Sequence, residues 1–108
     1  MIKVFISHSS NDVALANLLI TLLRSALRLS AQEIRCTSVP GYNLPGGAET
    51  DEHIREEVLA APVFIGLITE SGLASAYVLF ELGARWGAKK SLIPLMAPGV
   101  SPDILQGP

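Results

Sequence analysis

Apolar residues fall into two rhythms along this chain. Residues 2–7 (IKVFIS), 33–38 (EIRCTS), 63–69 (VFIGLIT) and 92–96 (LIPLM) are short apolar runs rich in β-branched side chains. Their length and composition predict strands, and the unbroken third run predicts one buried on both faces. Arg35 inside the second run predicts an edge position, and Pro94 limits the pairing of the fourth.

The stretches between the runs repeat at helical spacing. Over residues 10–29, Leu15, Leu18, Leu19, Leu22, Leu23 and Ala26 form an apolar stripe that predicts the inward face of a helix. Ser9, with Asp12 three positions on, resembles a capping box at its start. Residues 51–61 predict a second helix, with Ile54, Val58 and Leu59 inward, Thr50 as its N-cap and Pro62 as its stop. A third helix is expected from Ser71 or Ser75 to about residue 89. There Val78, Leu79, Leu82 and Trp86 predict the core face, with Tyr77, Glu81, Ala84 and Ala88 on the other side and Arg85 at the margin. The order β-α-β-α-β-α-β predicts an α/β domain with a flavodoxin-like parallel sheet and helices on both faces. Residues 39–49 hold two prolines and three glycines and read as a long loop; residues 97–108 read as irregular.

Composition narrows the class. At 108 residues, 49 % hydrophobic and 17 % charged, the chain has the apolar content of one small folded domain and not of a disordered segment. A net charge of −2 without a block of Lys or Arg argues against nucleic acid or an anionic membrane as partner. The longest apolar stretch, residues 62–69, is far short of the roughly 20 residues a membrane span needs. One cysteine, Cys36, excludes an internal disulfide, and no signal-peptide pattern opens the chain. A reducing, cytoplasmic setting is the expectation. The low charged fraction and a sheet that ends without a covering helix predict that the domain continues past Pro108 with a final strand and helix.

Ligands of parallel α/β sheets bind at the carboxyl ends of the strands, which here feed residues 7–12, 39–49 and 69–75. GxGxxG after the first strand, GxxxxGK[ST] and GxSxG are all absent, and His8 and His53 lack metal-ligand spacing. No metal is expected. Glu81 is flanked by apolar residues in Tyr-Val-Leu-Phe-Glu-Leu-Gly, so its carboxylate is expected to be partly desolvated. Two readings of it stand: a site carboxylate, or one half of an ordinary pair with Arg85 at i+4. Cys36 and Trp86 are expected to pack in the core, and His53 to lie on a solvated helix face.

Three segments together resemble a known family. Val4-Phe5-Ile6-Ser7-His8-Ser9-Ser10-Asn11-Asp12 is similar to the opening motif of Toll/interleukin-1 receptor (TIR) domains of the bacterial type. Residues 39–47 sit where that family has its BB loop. Ser75-Ala76-Tyr77-Val78-Leu79-Phe80-Glu81-Leu82-Gly83 resembles its Ser-x-Trp-x-x-x-Glu segment, with Tyr77 in place of the Trp. The resemblance spans nearly the whole chain. It implies an enzyme that cleaves NAD⁺ between nicotinamide and ribose, with Glu81 as the catalytic residue and NAD⁺ as substrate and no cofactor. His8, Ser9, Ser10, Tyr42, Asn43, Ser75 and Tyr77 are the implied substrate-binding residues; Ser9, Ser10 and Ser75 read equally as helix caps. It further implies other TIR domains as partners in an oligomer or filament, a linked sensor domain, and a role as effector of a defence or cell-death system. The family also contains non-catalytic interaction modules, and a nucleoside deoxyribosyltransferase-like enzyme shares the sheet and a site Glu.

Overall fold

A computed structural model describes residues 2–37, 39, 41–43 and 50–97. Strands β1 (Val4–Ser7), β2 (Ile34–Cys36), β3 (Val63–Ile68) and β4 (Ile93–Met96) form a sheet in the order β2-β1-β3-β4, every pairing parallel. This matches the first four strands of the flavodoxin-like order, whose direction of winding reverses between β1 and β3. Helices α1 (Val13–Leu27), α2 (Thr50–Ala60), α3 (Glu70–Ala74) and α4 (Ala76–Gly87) supply the cover.

The period-two alternation of each strand sorts its side chains between two cores. Val4 and Ile6 of β1, Ile34 and Cys36 of β2, and Ile65 and Leu67 of β3 pack with Ala16 and Ile20 of α1. Phe5 and Phe64 face the other way, toward Ile54 and Val58 of α2 and Leu82 of α4. Their rings stack with centroids 5.4 Å apart. Each large apolar side chain removed from water in this way contributes about 1.5–3 kcal/mol. Arg35, on edge strand β2 as expected, makes a paired ionic contact with Glu57 of α2 at 2.7 and 3.0 Å. His53 lies on the exposed side of the same helix, 3.4 Å from Glu57.

The expected elements differ from the observed ones in three places. The helix expected from residue 10 starts as a 3-10 turn, Ser10–Asp12, and becomes α-helical only at Val13. Ser9 caps that turn by accepting from the Asn11 amide at 3.2 Å, but Asp12 does not complete a capping box, because its carboxylate accepts the Thr69 hydroxyl instead. Thr50, expected as an N-cap, is the first residue of α2. The third helix is two helices. Ser75 is extended (φ −91°, ψ 115°) between α3 and α4, and Thr69 and Ser75 cap them by accepting from the amides of Gly72 and Val78 at 2.8 and 3.3 Å.

Two helix faces are also rotated from expectation. On α1, Ala16 and Ile20 are buried while Leu15, Leu18 and Leu22 are exposed. Apolar residues occupy so much of this helix that spacing alone does not select the face. On α4, Leu79, Phe80 and Trp86 are 48 %, 77 % and 77 % exposed, and Val78, Glu81, Leu82 and Arg85 turn inward. The expected packing role of Trp86 is therefore wrong. The inward face is decided by polar partners and by Gly66 of β3, where a Cβ would come within 2.6 Å of the Leu82 side chain.

Candidate active site

Arg85 anchors the helix that carries Glu81. Its guanidinium is almost fully buried and donates to the carbonyls of Ala61 and Val58 at 2.7 and 3.1 Å, where α2 ends, and of Ser91 at 2.7 Å, where the chain enters β4. The last carbonyls of a helix have no partners within it and carry its negative dipole end, so a buried cation suits them. The ring of Phe64 lies 5.7 Å from the same guanidinium. The Glu81–Arg85 pair that spacing allowed is not formed.

Glu81 instead reaches across to the sheet. It is 7 % exposed, and its Oε1 accepts the Ser7 hydroxyl at 2.7 Å. Ser7 ends β1, beside Gly66 of β3, at the reversal point of the sheet. Burial pushes the Glu81 carboxyl up to about 7, against the opposing pull of the Ser7 hydrogen bond. Its second oxygen, Oε2, is buried and has no hydrogen-bond partner among the described residues.

His8 follows directly and is 4 % exposed. Its Nε2 lies 3.1 Å from Cys36 Sγ, and its Nδ1 is buried without a partner among the described residues. Burial lowers the imidazole's affinity for a proton, with Asp12 opposing that effect. Burial first, and the charge of Glu81 second, push the Cys36 thiol up to about 12. The thiol is core filler, as expected, and its protonated form is no nucleophile. Two unpartnered buried polar atoms, Glu81 Oε2 and His8 Nδ1, thus mark this end of the sheet. Such atoms are costly in a folded interior, and each calls for a partner or a role.

The other implied site residues divide. Ser9 and Ser75 act as caps, and Ser10 is exposed in the 3-10 turn. Tyr42 is not brought to Glu81. Its ring packs on the α1 side of the sheet, lining a cleft with Ile20, Thr21 and Leu29, and its hydroxyl accepts from Arg24 Nη1 at 3.0 Å. Asn43 is exposed. Tyr77 belongs to α4 by its backbone, and its side chain lies outside the described residues, as do residues 44–49 of the loop. Sequence reasoning missed Ser7. Its signal was strand alternation, since Ser7 must share the face of Phe5, beneath α2 and α4.

A family model described as "TIR domain" matches residues 4–107. The chain belongs to the TIR-domain family. A Bacillus subtilis (strain 168) protein described as "Uncharacterized protein YddK" is 28 % identical over 102 residues. That match takes in 94 % of this chain and 38 % of the Bacillus protein, so the chain spans well under half of its relative's length. TIR domains commonly associate with one another, and the family includes bacterial enzymes that cleave NAD⁺. Among the described residues no group of three or more His, Cys, Asp or Glu side chains is placed to hold a metal ion, and no helix is long and apolar enough to cross a membrane.

Proposed function

We propose that this TIR domain cleaves the N-glycosidic bond between nicotinamide and ribose in NAD⁺, with Glu81 as the catalytic carboxylate. The observation that carries the reading is the buried Glu81 carboxylate at the β1–β3 reversal point, one oxygen held by Ser7 and the other unpartnered. Nicotinamide in NAD⁺ is a cationic leaving group. It departs neutral with the bonding electron pair, so no general acid is required, and half of the usual glycosidase pair becomes unnecessary. The ribose is left with oxocarbenium character, and an adjacent carboxylate stabilises that charge in a site of low polarity. Water then adds to the anomeric carbon and loses a proton to solvent, giving ADP-ribose; attack by the adenine ring in place of water gives a cyclic isomer. Glu81 Oε2 is covered in this conformation, so the ribose reaches it only once the covering groups move aside.

Assembly with other TIR domains is the proposed trigger for that opening, and the proposed setting is a cytoplasmic defence or cell-death system with a linked sensor. The second reading, a non-catalytic interaction module, draws on a different observation: the outer face of α4 exposes Leu79, Phe80 and Trp86. One assay separates the two. The protein is incubated with NAD⁺, with and without a crowding agent, and nicotinamide release is followed by chromatography. Release that Glu81→Ala and Glu81→Gln both abolish is the expected result. No release under any assembly condition refutes the enzyme and favours the module.

A further inference from the structure

We infer that Ser7 is a positioning residue for Glu81, fixing one carboxylate oxygen so that Oε2 alone is presented to the reacting ribose. The inference rests on the proposed cleavage of NAD⁺. It starts from a degeneracy. A free carboxylate rotates about its last side-chain bond and offers either oxygen. Here the Ser7 hydroxyl, from a residue 74 positions away in sequence, donates to Oε1 at 2.7 Å and breaks that equivalence.

Both partners are held firmly. Ser7 is 1 % exposed and pinned by its parallel pairing with Gly66 of β3, at the end of a strand whose preceding residues pair on both sides. Gly66, its neighbour in register on β3, has no side chain and leaves room for Leu82, so α4 lies close enough for Glu81 to reach the strand. Arg85, one turn along α4, is bound to the end of α2 and fixes the helix from the other side. A hydroxyl has one proton, and Ser7 has given its proton to Glu81, which leaves it no role as a donor to substrate. Its effect must pass through the carboxylate.

Among the described residues no neighbouring group competes for that role. His8 on β1 is turned to Cys36 on β2, and the Cys36 thiol stays protonated. Asp12 in the 3-10 turn accepts from Thr69. Arg85 donates to backbone carbonyls. Ser7 is the one side chain hydrogen-bonded to the carboxylate among the described residues, and its bond favours the ionised form.

The test reads the carboxyl and the reaction separately. Glu81 is followed by carbon NMR of its side-chain carboxyl in protein without substrate, with Glu81→Gln for assignment. Steady-state kcat and KM for NAD⁺ are measured against pH in the unaltered protein, Ser7→Ala and Ser7→Thr. Misplacing a reacting group by about 1 Å costs up to about 100-fold in rate, so a loss of about 10- to 100-fold is expected when the group that orients the carboxylate is removed. Ser7→Ala should lower kcat by that factor at neutral pH with little change in KM, raise the titration midpoint of Glu81, and move the acid limb of kcat upward with it. Ser7→Thr, which keeps the hydroxyl, should restore midpoint and limb toward those of the unaltered protein. An unmoved Glu81 midpoint in Ser7→Ala overturns the role of Ser7, as does a raised midpoint without movement of the acid limb. A folded Ser7→Thr protein that titrates like Ser7→Ala overturns it too. Failure of the unaltered protein to release nicotinamide overturns the proposed reaction itself; the two failures are thereby distinguished.

Discussion

Replacing Glu81 by Gln should stabilise the protein at alkaline pH while removing the carboxylate the proposed reaction needs. Burial raises the carboxyl from an ordinary 4.5 to about 7, so the folded state holds its proton more tightly than the unfolded chain does. Stability from this source is fully present below pH 4.5 and is lost as pH rises through about 7. At 1.36 kcal/mol per pKa unit, the loss comes to about 3 kcal/mol. Small domains have about 5–15 kcal/mol in total, so this is a large share. Glu81→Gln has no such titration. Its buried amide adds a cost of about 1–3 kcal/mol if the new N–H finds no acceptor, but that cost does not vary with pH. The diagnostic quantity is therefore the slope of the difference between the two proteins. His8 and the surface carboxylates titrate in both and cancel. Urea unfolding across a pH series gives the free energy of each protein. The difference should shift by about 3 kcal/mol in favour of Gln between roughly pH 4.5 and 8. A difference that stays flat across this range refutes the argument that Glu81 is held buried at a cost in stability.

Arg85→Ala strips the buried donors from the end of α2 and should lower the unfolding free energy by about 3–5 kcal/mol, with Arg85→Lys recovering only part, since an ammonium cannot span three carbonyls on two separate segments. A fall below about 1 kcal/mol in denaturant titration would contradict that anchoring role. Cys36, fully buried with its thiol held at about 12, should react with a disulfide reagent about a thousandfold or more slower in the native protein than in urea. A fast native reaction would show that β2 opens far more easily than its packing implies.

The strands and the parallel sheet were legible because their signal is simple. A short apolar run between polar segments has few alternatives, and Arg35 marked its own strand as an edge. The helix faces were harder. On α1 the apolar residues run round most of the helix, so Ala16 and Ile20 were chosen by the shape of the sheet beneath them and not by spacing. On α4 the spacing pointed to Leu79 and Trp86 as core, because hydropathy assumes that charges face water. Glu81 and Arg85 both violate that assumption. Each is buried because a distant segment supplies its partner, and a partner 74 residues away, like Ser7, leaves no trace in local periodicity. The break at Ser75 was half legible: both Ser71 and Ser75 were candidate starts, and the structure uses Thr69 and Ser75 for two separate helices.

The separation of Glu81 from Arg85 is what gives α4 its character. Opposite charges four residues apart on a helix normally pair. Had these two paired in the interior, the guanidinium would have held the carboxyl well below its ordinary value and made it a poor candidate for a tuned site. The end of α2 would also have lost its buried donors. Instead Arg85 is taken by carbonyls and Glu81 by a neutral hydroxyl, so the carboxylate's proton affinity is set by burial and Ser7. The cation stabilises the scaffold, and the carboxylate is left without a charged partner among the described residues, its second oxygen covered in this conformation.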